Sequence, residues 1–497
     1  MADYVTASNG VAVVRIPAFR GLLQYGTDAL GDPRFADDCI NAYTEQGRLR
    51  PAAACEGMDG ELKDAIETLS RLHRRFHTAD AEKDVLIAAA GGQLYWRLPA
   101  SQEWKRLPMP PTFAAEEYQC SRWSWVTYEI NPEGSQAPVD VLLMSNAKDG
   151  MICIRGDDMT VTAVETPRKF GVIARCAERV WGGAIDGDPD MLMYSAPYDP
   201  FDWAQNDEFP EDGAGDVLQP SWDGDSFTAL CAFGSQLLAF KRTRIWRVLG
   251  THPGEYVFRE QYGGGAPCEK TVAADGTRVL MLGRDGVYQY NGESVIPFEQ
   301  EYAQAVFERM NPDALAKACA CMWRGTYYCA LALDQSPVNN AVLMYNTAEN
   351  TWLLRQDTAV SAFLPTEDAL YFAGSLKPGR LYRWQEDCLL TGAAQPMLWV
   401  SPWMDLGLKH MTKSGFKLYL TVECAQAAEL LLSVETEKKT KTKRIVFQPP
   451  LKGSHARQKR VAFGLSGRRF RMRIESRESV PWCISGGMQA EAELDAD

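Results

Sequence analysis

The chain is poor in the residues that most often carry chemistry. It has five histidines in 497 residues, and none of its thirteen cysteines forms a Cys-x-x-Cys pair, Cys319-Ala-Cys321 being the closest spacing. Scattered thiols of this kind read as buried and reduced, made in a cytosol, rather than as a disulfide framework. No apolar run approaches the ~20 residues that a membrane-spanning helix needs. Met1 to Val14 shows neither a basic stretch nor an apolar core, so no signal peptide is read there. The run Gly263-Gly264-Gly265 is not followed by Gly-Lys-Ser/Thr, which makes it a turn and not a phosphate loop. A Gly-x-Ser-x-Gly nucleophile elbow is missing as well.

What the chain has instead is aromatic residues and glycine: 14 Trp, 19 Tyr and 40 Gly, in a composition that is 46% hydrophobic and 24% charged. Aromatics fill pleated surfaces and glycine supplies positive φ in tight turns, so this mixture suits many short strands. The length is too great for one core and implies more than one domain. Net charge is −13, unevenly spread. Residues 398–497 hold 17 Lys and Arg against 11 Asp and Glu, leaving the rest of the chain strongly acidic. Such a body repels phosphates; it suits a surface that nucleic acid passes without sticking.

A recurring unit runs through the chain: an apolar strand, a turn, then a second strand carrying an aromatic or apolar mark. The units are Val85 to Ala90 with Leu94 to Trp96, Val141 to Met144 with Met151 to Ile154, and Arg179 to Ala184 with Met191 to Tyr194. They continue with Leu237 to Phe240 and Ile245 to Val248, Val279 to Leu282 and Val287 to Tyr290, Tyr327 to Leu333 and Val342 to Tyr345, then Leu370 to Ala373 and Leu381 to Trp384. Their spacing is about 48 residues, the length of a four-stranded propeller blade. The stretch Glu61 to Thr78 fits a short helix through Ile66, Leu69, Leu72 and Phe76 but is read as a strand. Beyond about residue 396, seven alternating segments predict one antiparallel sandwich: Leu398 to Met404, Phe416 to Val422, Glu429 to Val434, Arg444 to Phe447, Val461 to Phe463, Phe470 to Ile474 and Trp482 to Ile484. The fold class is therefore all-β: residues 1–60 an N-terminal arm and closing segment, 61–395 a β-propeller of about seven blades, and 396–497 a β-sandwich.

Candidate sites are few. His73 and His77 lie four apart, but Arg74-Arg75 stand between them and no zinc-protease Glu accompanies them. Asp186, Asp188 and Asp190 alternate like a calcium loop, yet Met191 and Pro197 occupy the positions where that loop needs Gly and Glu, so an acidic hairpin is expected. Ser195 to Trp203 has something of a sialidase Asp-box turn with the wrong spacing. No catalytic, cofactor-binding or metal-binding residue is nominated, no cofactor is called, and the chain is read as a non-enzyme. The loop Ala204 to Asp225, with Asp207, Glu208, Glu211, Asp212, Asp216, Asp223 and Asp225, is either a solvated excursion or a subunit contact or channel lining. Lys438 to Arg444, Arg457 to Arg460 and Arg468 to Arg473 form basic clusters that are either solvated or a docking surface for an acidic partner.

Several stretches resemble the propeller-type tail hub or nozzle proteins of tailed bacteriophages. They are Ile16-Pro17-Ala18-Phe19-Arg20-Gly21-Leu22 with Asp37 to Asn41 and Gly47 to Pro51, Arg179-Val180-Trp181-Gly182 running through Tyr194 to Pro197 to Asp199-Pro200-Phe201-Asp202-Trp203, Phe240-Lys241 with Ile245-Trp246 leading into Asp285 to Tyr288, and Ser401-Pro402-Trp403 with Gly467 to Ser476. The resemblance implies a structural virion protein, assembled in the bacterial cytoplasm into a homo-oligomeric ring of about six copies below the portal and adaptor. Such a ring surrounds the DNA channel and helps retain the genome or pass it at ejection, with no specific DNA contact and no membrane. The alternative is a receptor- or glycan-binding tail protein, or a glycan depolymerase.

Overall fold

The computed structural model describes residues 5–24, 32–113, 116–132, 137–218, 224–250, 252–375, 377, 379–450 and 456–496. Met1 to Tyr4 and Asp223, both part of the sequence reading, lie outside them.

Seven four-stranded sheets follow one another along the chain and close into a propeller. From the axis outward the first blade is Ile66–His73, Asp84–Ala90, Gln93–Arg97 and Lys105–Arg106. The inner strands of the next six are Ser124–Ile130, Phe170–Cys176, Ala229–Phe233, Ala273–Ala274, Cys319–Trp323 and Val360–Pro365. The ring shuts where Val360–Pro365 packs against Ile66–His73. All seven paired segments expected from the sequence are the second and third strands of successive blades, and Glu61 to Thr78 contains an inner strand, not a helix.

The second blade shows why these strands read as unbroken apolar runs. All eight residues of Val139–Asn146 are buried, because both faces of the blade are covered. Leu142, Met144, Ile152 and Ile154 pack toward the first blade, while Val141, Leu143, Met151 and Cys153 pack toward the third. Five interblade layers are separate small cores in this way, while the layers on either side of the sixth blade merge with the sandwich into one large core.

The sandwich is built differently. One sheet runs Val5–Ser8, Val11–Ile16, Trp482–Ala496, Met411–Cys424, Lys459–Gly467, so the N-terminal hairpin completes a C-terminal sheet through pairs such as Ile16 with Met488. The other runs Met397–Val400, Phe470–Ser476, Ala428–Thr436, Thr440–Phe447. The first of these strands is shorter than Leu398 to Met404; it stops just before Pro402, which has no N–H to offer a ladder. Asp38–Ile40 lies between Met397–Val400 and Thr351–Gln356, the outer strand of the sixth blade, and fuses blade and sandwich into one nine-stranded sheet. The same N-terminal segment then adds Glu56–Gly57 as the fourth strand of the seventh blade. The described residues of this N-terminal segment therefore serve the sandwich, the seam and the last blade.

Backbone approaches closely at this seam. Leu22 N–H donates to the Trp352 carbonyl at 2.8 Å, and a Cβ on Gly21 would collide with that oxygen. Gly487 has φ +80° and packs on the Ile16 carbonyl, so it needs both the missing side chain and the left-handed conformation. Around it a single core joins Phe19, Trp352, Trp399, Phe416 and Trp482.

Candidate functional site

The fifth inner strand has only two residues because the segment before it turns across the axis. Glu269–Thr271 forms a 3-10 turn that stands in the bore. Ser124 of the second blade accepts from Ile173 N–H at 2.9 Å and donates to the Glu269 carboxylate. Lys270 donates to the Glu67 carbonyl and to Thr68 Oγ1 (3.1 Å) in the first blade. Tyr327 of the sixth blade donates to the Thr271 carbonyl at 2.9 Å. The turn thus ties together strands from across the ring and plugs it.

Beside the plug is a cavity of about 340 Å³ lined by Trp125, Met322 and Phe363 together with Glu269 and Lys270. Both residues are half-buried and line this cavity. Burial pushes the Glu269 carboxyl up to about 7, against the opposing pull of Ser124, Lys270 and Arg122. Burial, and then the nearby Arg122, pushes the Lys270 ammonium down. Glu269 can hold or release a proton near neutral pH. Glycoside cleavage ordinarily needs two facing carboxyl groups, and Glu269 is the one carboxylate among the described residues that line this cavity. Nothing in the sequence singled out Glu269 or Lys270; the short inner strand that marks the turn is visible only in the structure.

Two charged surfaces lie outside the ring. The connection between Met191–Tyr194 and Gly215–Leu218 in the third blade is long and exposed. From Tyr198 to Leu218 it carries seven acids, Asp199, Asp202, Asp207, Glu208, Glu211, Asp212 and Asp216, and no Lys or Arg. All seven are exposed, and none forms an ion pair with a described residue. Among them stand Tyr198 (74% exposed), Phe209 (51%) and Leu218 (56%). The root of the excursion is firm. Buried Arg179 donates to the carbonyls of Ser195 (2.7 Å), Gly213 (2.6 Å) and Glu211, and Trp203 packs on Phe170 with ring centres 4.9 Å apart.

The second surface is the open side of the sandwich, where the edge strands Thr440–Phe447 and Lys459–Gly467 lie next to each other. Lys443 on one strand sits 5.9 Å from the ring centre of Phe463 on the other, and Lys459 sits 4.7 Å from that of Phe447. These ammonium groups lace the two edges together. Between Lys438 and Arg473 there are thirteen Lys and Arg and no Asp or Glu. Some are neutralised by flanking acids: Arg444 pairs with Glu429, Arg471 with Glu435 (2.8 Å) and Arg473 with Glu475 (2.9 Å). Lys438, Lys439, Lys441, Arg457 and Arg460 form no ion pair with a described residue.

The remaining residues singled out in the sequence are dispersed. His73 Nδ1 lies 2.8 Å from Asp84, and His77 Nε2 lies 3.6 Å from Glu82. They belong to a charged turn of the first blade, on a strand and a loop. Asp188 pairs with Arg168 at 3.4 Å and Asp190 with buried Lys241, so these acids face different cations and do not converge. Asp199 and Asp202 accept from the N–H groups of Phe201 and Ala204, both at 2.9 Å, which are turn-forming bonds.

No family model matches the chain, and no curated protein matches its sequence. Among solved structures, it is similar to a chain of the mitotic checkpoint complex at 13% identity, with 65% of this chain and 95% of that one covered and a TM-score of 0.36. It is also similar to the Pan2 WD40 domain of Neurospora crassa at 10% identity, with 65% and 89% covered and a TM-score of 0.32. Scores this low carry no weight for function. The strand pairing itself defines the class: a seven-bladed β-propeller fused to a β-sandwich.

Proposed function

We propose that this chain is a structural component of the tail of a tailed bacteriophage, working by assembly around the DNA channel rather than by catalysis. The observation that carries the reading is where the tail-protein-like stretches fall. Ile16 to Leu22, Asp37 to Asn41 and Gly47 to Pro51 build the seam between sandwich and sixth blade. Arg179 to Trp203 roots the acidic excursion. Gly467 to Ser476 supplies a central strand of the second sandwich sheet. These residues form joints, and none of them lines the cavity on the axis.

The plug also bears on the reading. Glu269–Thr271 occupies the bore of the propeller, so a DNA conduit would run between copies and not through one. An acidic outer body lets a polyanion slide past. Electron microscopy of a particle containing this chain tests the proposal, with a closed ring about the tail axis as the expected result. Density confined to peripheral fibres, or reproducible cleavage of a surface glycan by the purified chain, would overturn it in favour of the receptor-binding or depolymerase alternative.

A further inference from the structure

We infer that copies of this chain dock head to tail, the acidic flank of the third blade in one copy seating on the basic seam of the sandwich in the next. The inference rests on reading the chain as an assembling component, and it names the two surfaces that meet.

Charge is the first ground. Tyr198 to Leu218 and Lys438 to Arg473 are each of a single sign, negative and positive respectively. Surfaces that merely need solubility mix both signs, whereas segregated fields steer association. Among the described residues, no ion pair links an acid of the flank to Lys438, Lys439, Lys441, Arg457 or Arg460 of the seam. The seven flank carboxylates and the side chains of these five bases form no ion pair with a described residue, and a second copy presents the complement.

Apolar surface and free backbone are the second ground. Tyr198, Phe209 and Leu218 stand exposed on the flank, and Val446 is 42% exposed on the seam. Gly215–Leu218 is the outer strand of its blade, and Thr440–Phe447 is the edge of its sheet, so neither has a described strand paired on its outer side, although Lys459 Nζ donates to the Val446 carbonyl. Lysines along an edge ordinarily prevent like edges from pairing. Here that repulsion is selective: seam repels seam and flank repels flank, which leaves seam on flank as the permitted contact. The two surfaces differ, so the contact is heterologous and closes into a ring when its rotation divides the circle.

The test uses the full chain and two charge-reversal variants. The flank variant carries Asp207→Lys, Glu208→Lys, Glu211→Lys and Asp212→Lys; the seam variant carries Lys438→Glu, Lys439→Glu and Lys441→Glu. All of these side chains are exposed. Sedimentation at low salt and rising concentration should show the native chain associating, and each variant alone associating roughly tenfold or more weakly. An equal mixture of the two variants should regain association, because a lysine flank then meets a glutamate seam. Zero-length carbodiimide coupling of isotopically light and heavy native chains should join flank carboxylates to Lys438, Lys439 or Lys441 of the other copy. A native chain that stays monomeric, variants that associate as well as the native chain, a mixture that fails to recover, or cross-links elsewhere would each overturn the inference. Position in a virion enters none of these readouts. A head-to-tail oligomer absent from any tail would sink the tail reading alone, and an axial ring with other contacts would sink this one alone.

Discussion

The propeller and the sandwich use the same antiparallel strands but close them differently. Each propeller blade pairs segments close in sequence and buries its faces against its neighbours, so the region holds several separate interblade cores. The sandwich draws its sheets from both ends of the chain and shares one large core with the sixth blade. The lesson is that the ring is stabilised in many small layers, while the joint to the sandwich concentrates its stability in a few long-range contacts.

That contrast is sharpest at two tryptophans. Trp399 is fully buried at the joint, with Phe19 edge-on at 5.2 Å, and Trp246 is equally buried between two blades, with Phe227 at 5.9 Å. Truncation to alanine should cost about 3–5 kcal/mol at either site. In denaturant, Trp399→Ala should lower the stability of sandwich and propeller together, and Trp246→Ala that of the propeller only. Equal effects on both regions from Trp246→Ala would break the comparison.

The axial plug gives the next largest effect. Glu269 binds its proton more tightly folded, at about 7, than a free glutamate does at 4.5. The folded chain therefore holds excess proton between those values, and stability should fall as pH rises through about 4.5 to 7, by roughly 2–3 kcal/mol. Asp37 at the seam, pushed up to about 6 by burial, runs in the same direction. The difference between native chain and Glu269→Gln in a urea titration series isolates the plug: the variant should lose the Glu269 share of the slope and keep that of Asp37, and an unchanged slope would refute the assignment.

At the seam, Gly487→Ala places a side chain at φ +80° against the Ile16 carbonyl. It should lower stability by about 1–3 kcal/mol, read as a shift in the denaturation midpoint. Gly187, at φ +84° with open space around its Cβ position, provides a milder comparison. The smallest effect belongs to the acidic flank. Asp207→Asn with Glu208→Gln should leave the stability of the monomer within about 0.5 kcal/mol, because neither carboxylate is buried or ion-paired with a described residue.

Most of the ring was legible in the sequence because its information is local. Val279 to Leu282, Asp285-Gly286 and Val287 to Tyr290 announce a hairpin within a dozen residues, and the structure pairs Leu282 with Val287. The sandwich strands were legible for the same reason. Val5–Ser8 and Val11–Ile16 also look like strands, but nothing local says that Ile16 will pair with Met488 or Ile40 with Leu354. The acidic and basic stretches were visible as charge runs, whereas the exposure of Tyr198 and Phe209 depends on how the third blade is covered. Glu269 and Lys270 were invisible, since a 3-10 turn of ordinary residues becomes an axial plug only after the ring has closed around it.

The central claim is that this chain works through surfaces that assemble it into a ring. Electron cryomicroscopy of a tailed particle built with the chain tests it most directly. The account predicts a closed ring on the tail axis, with each propeller bore filled by its own Glu269–Thr271 turn and the DNA path running between copies. Isolated copies on peripheral fibres, or DNA threaded through individual propellers, would contradict it.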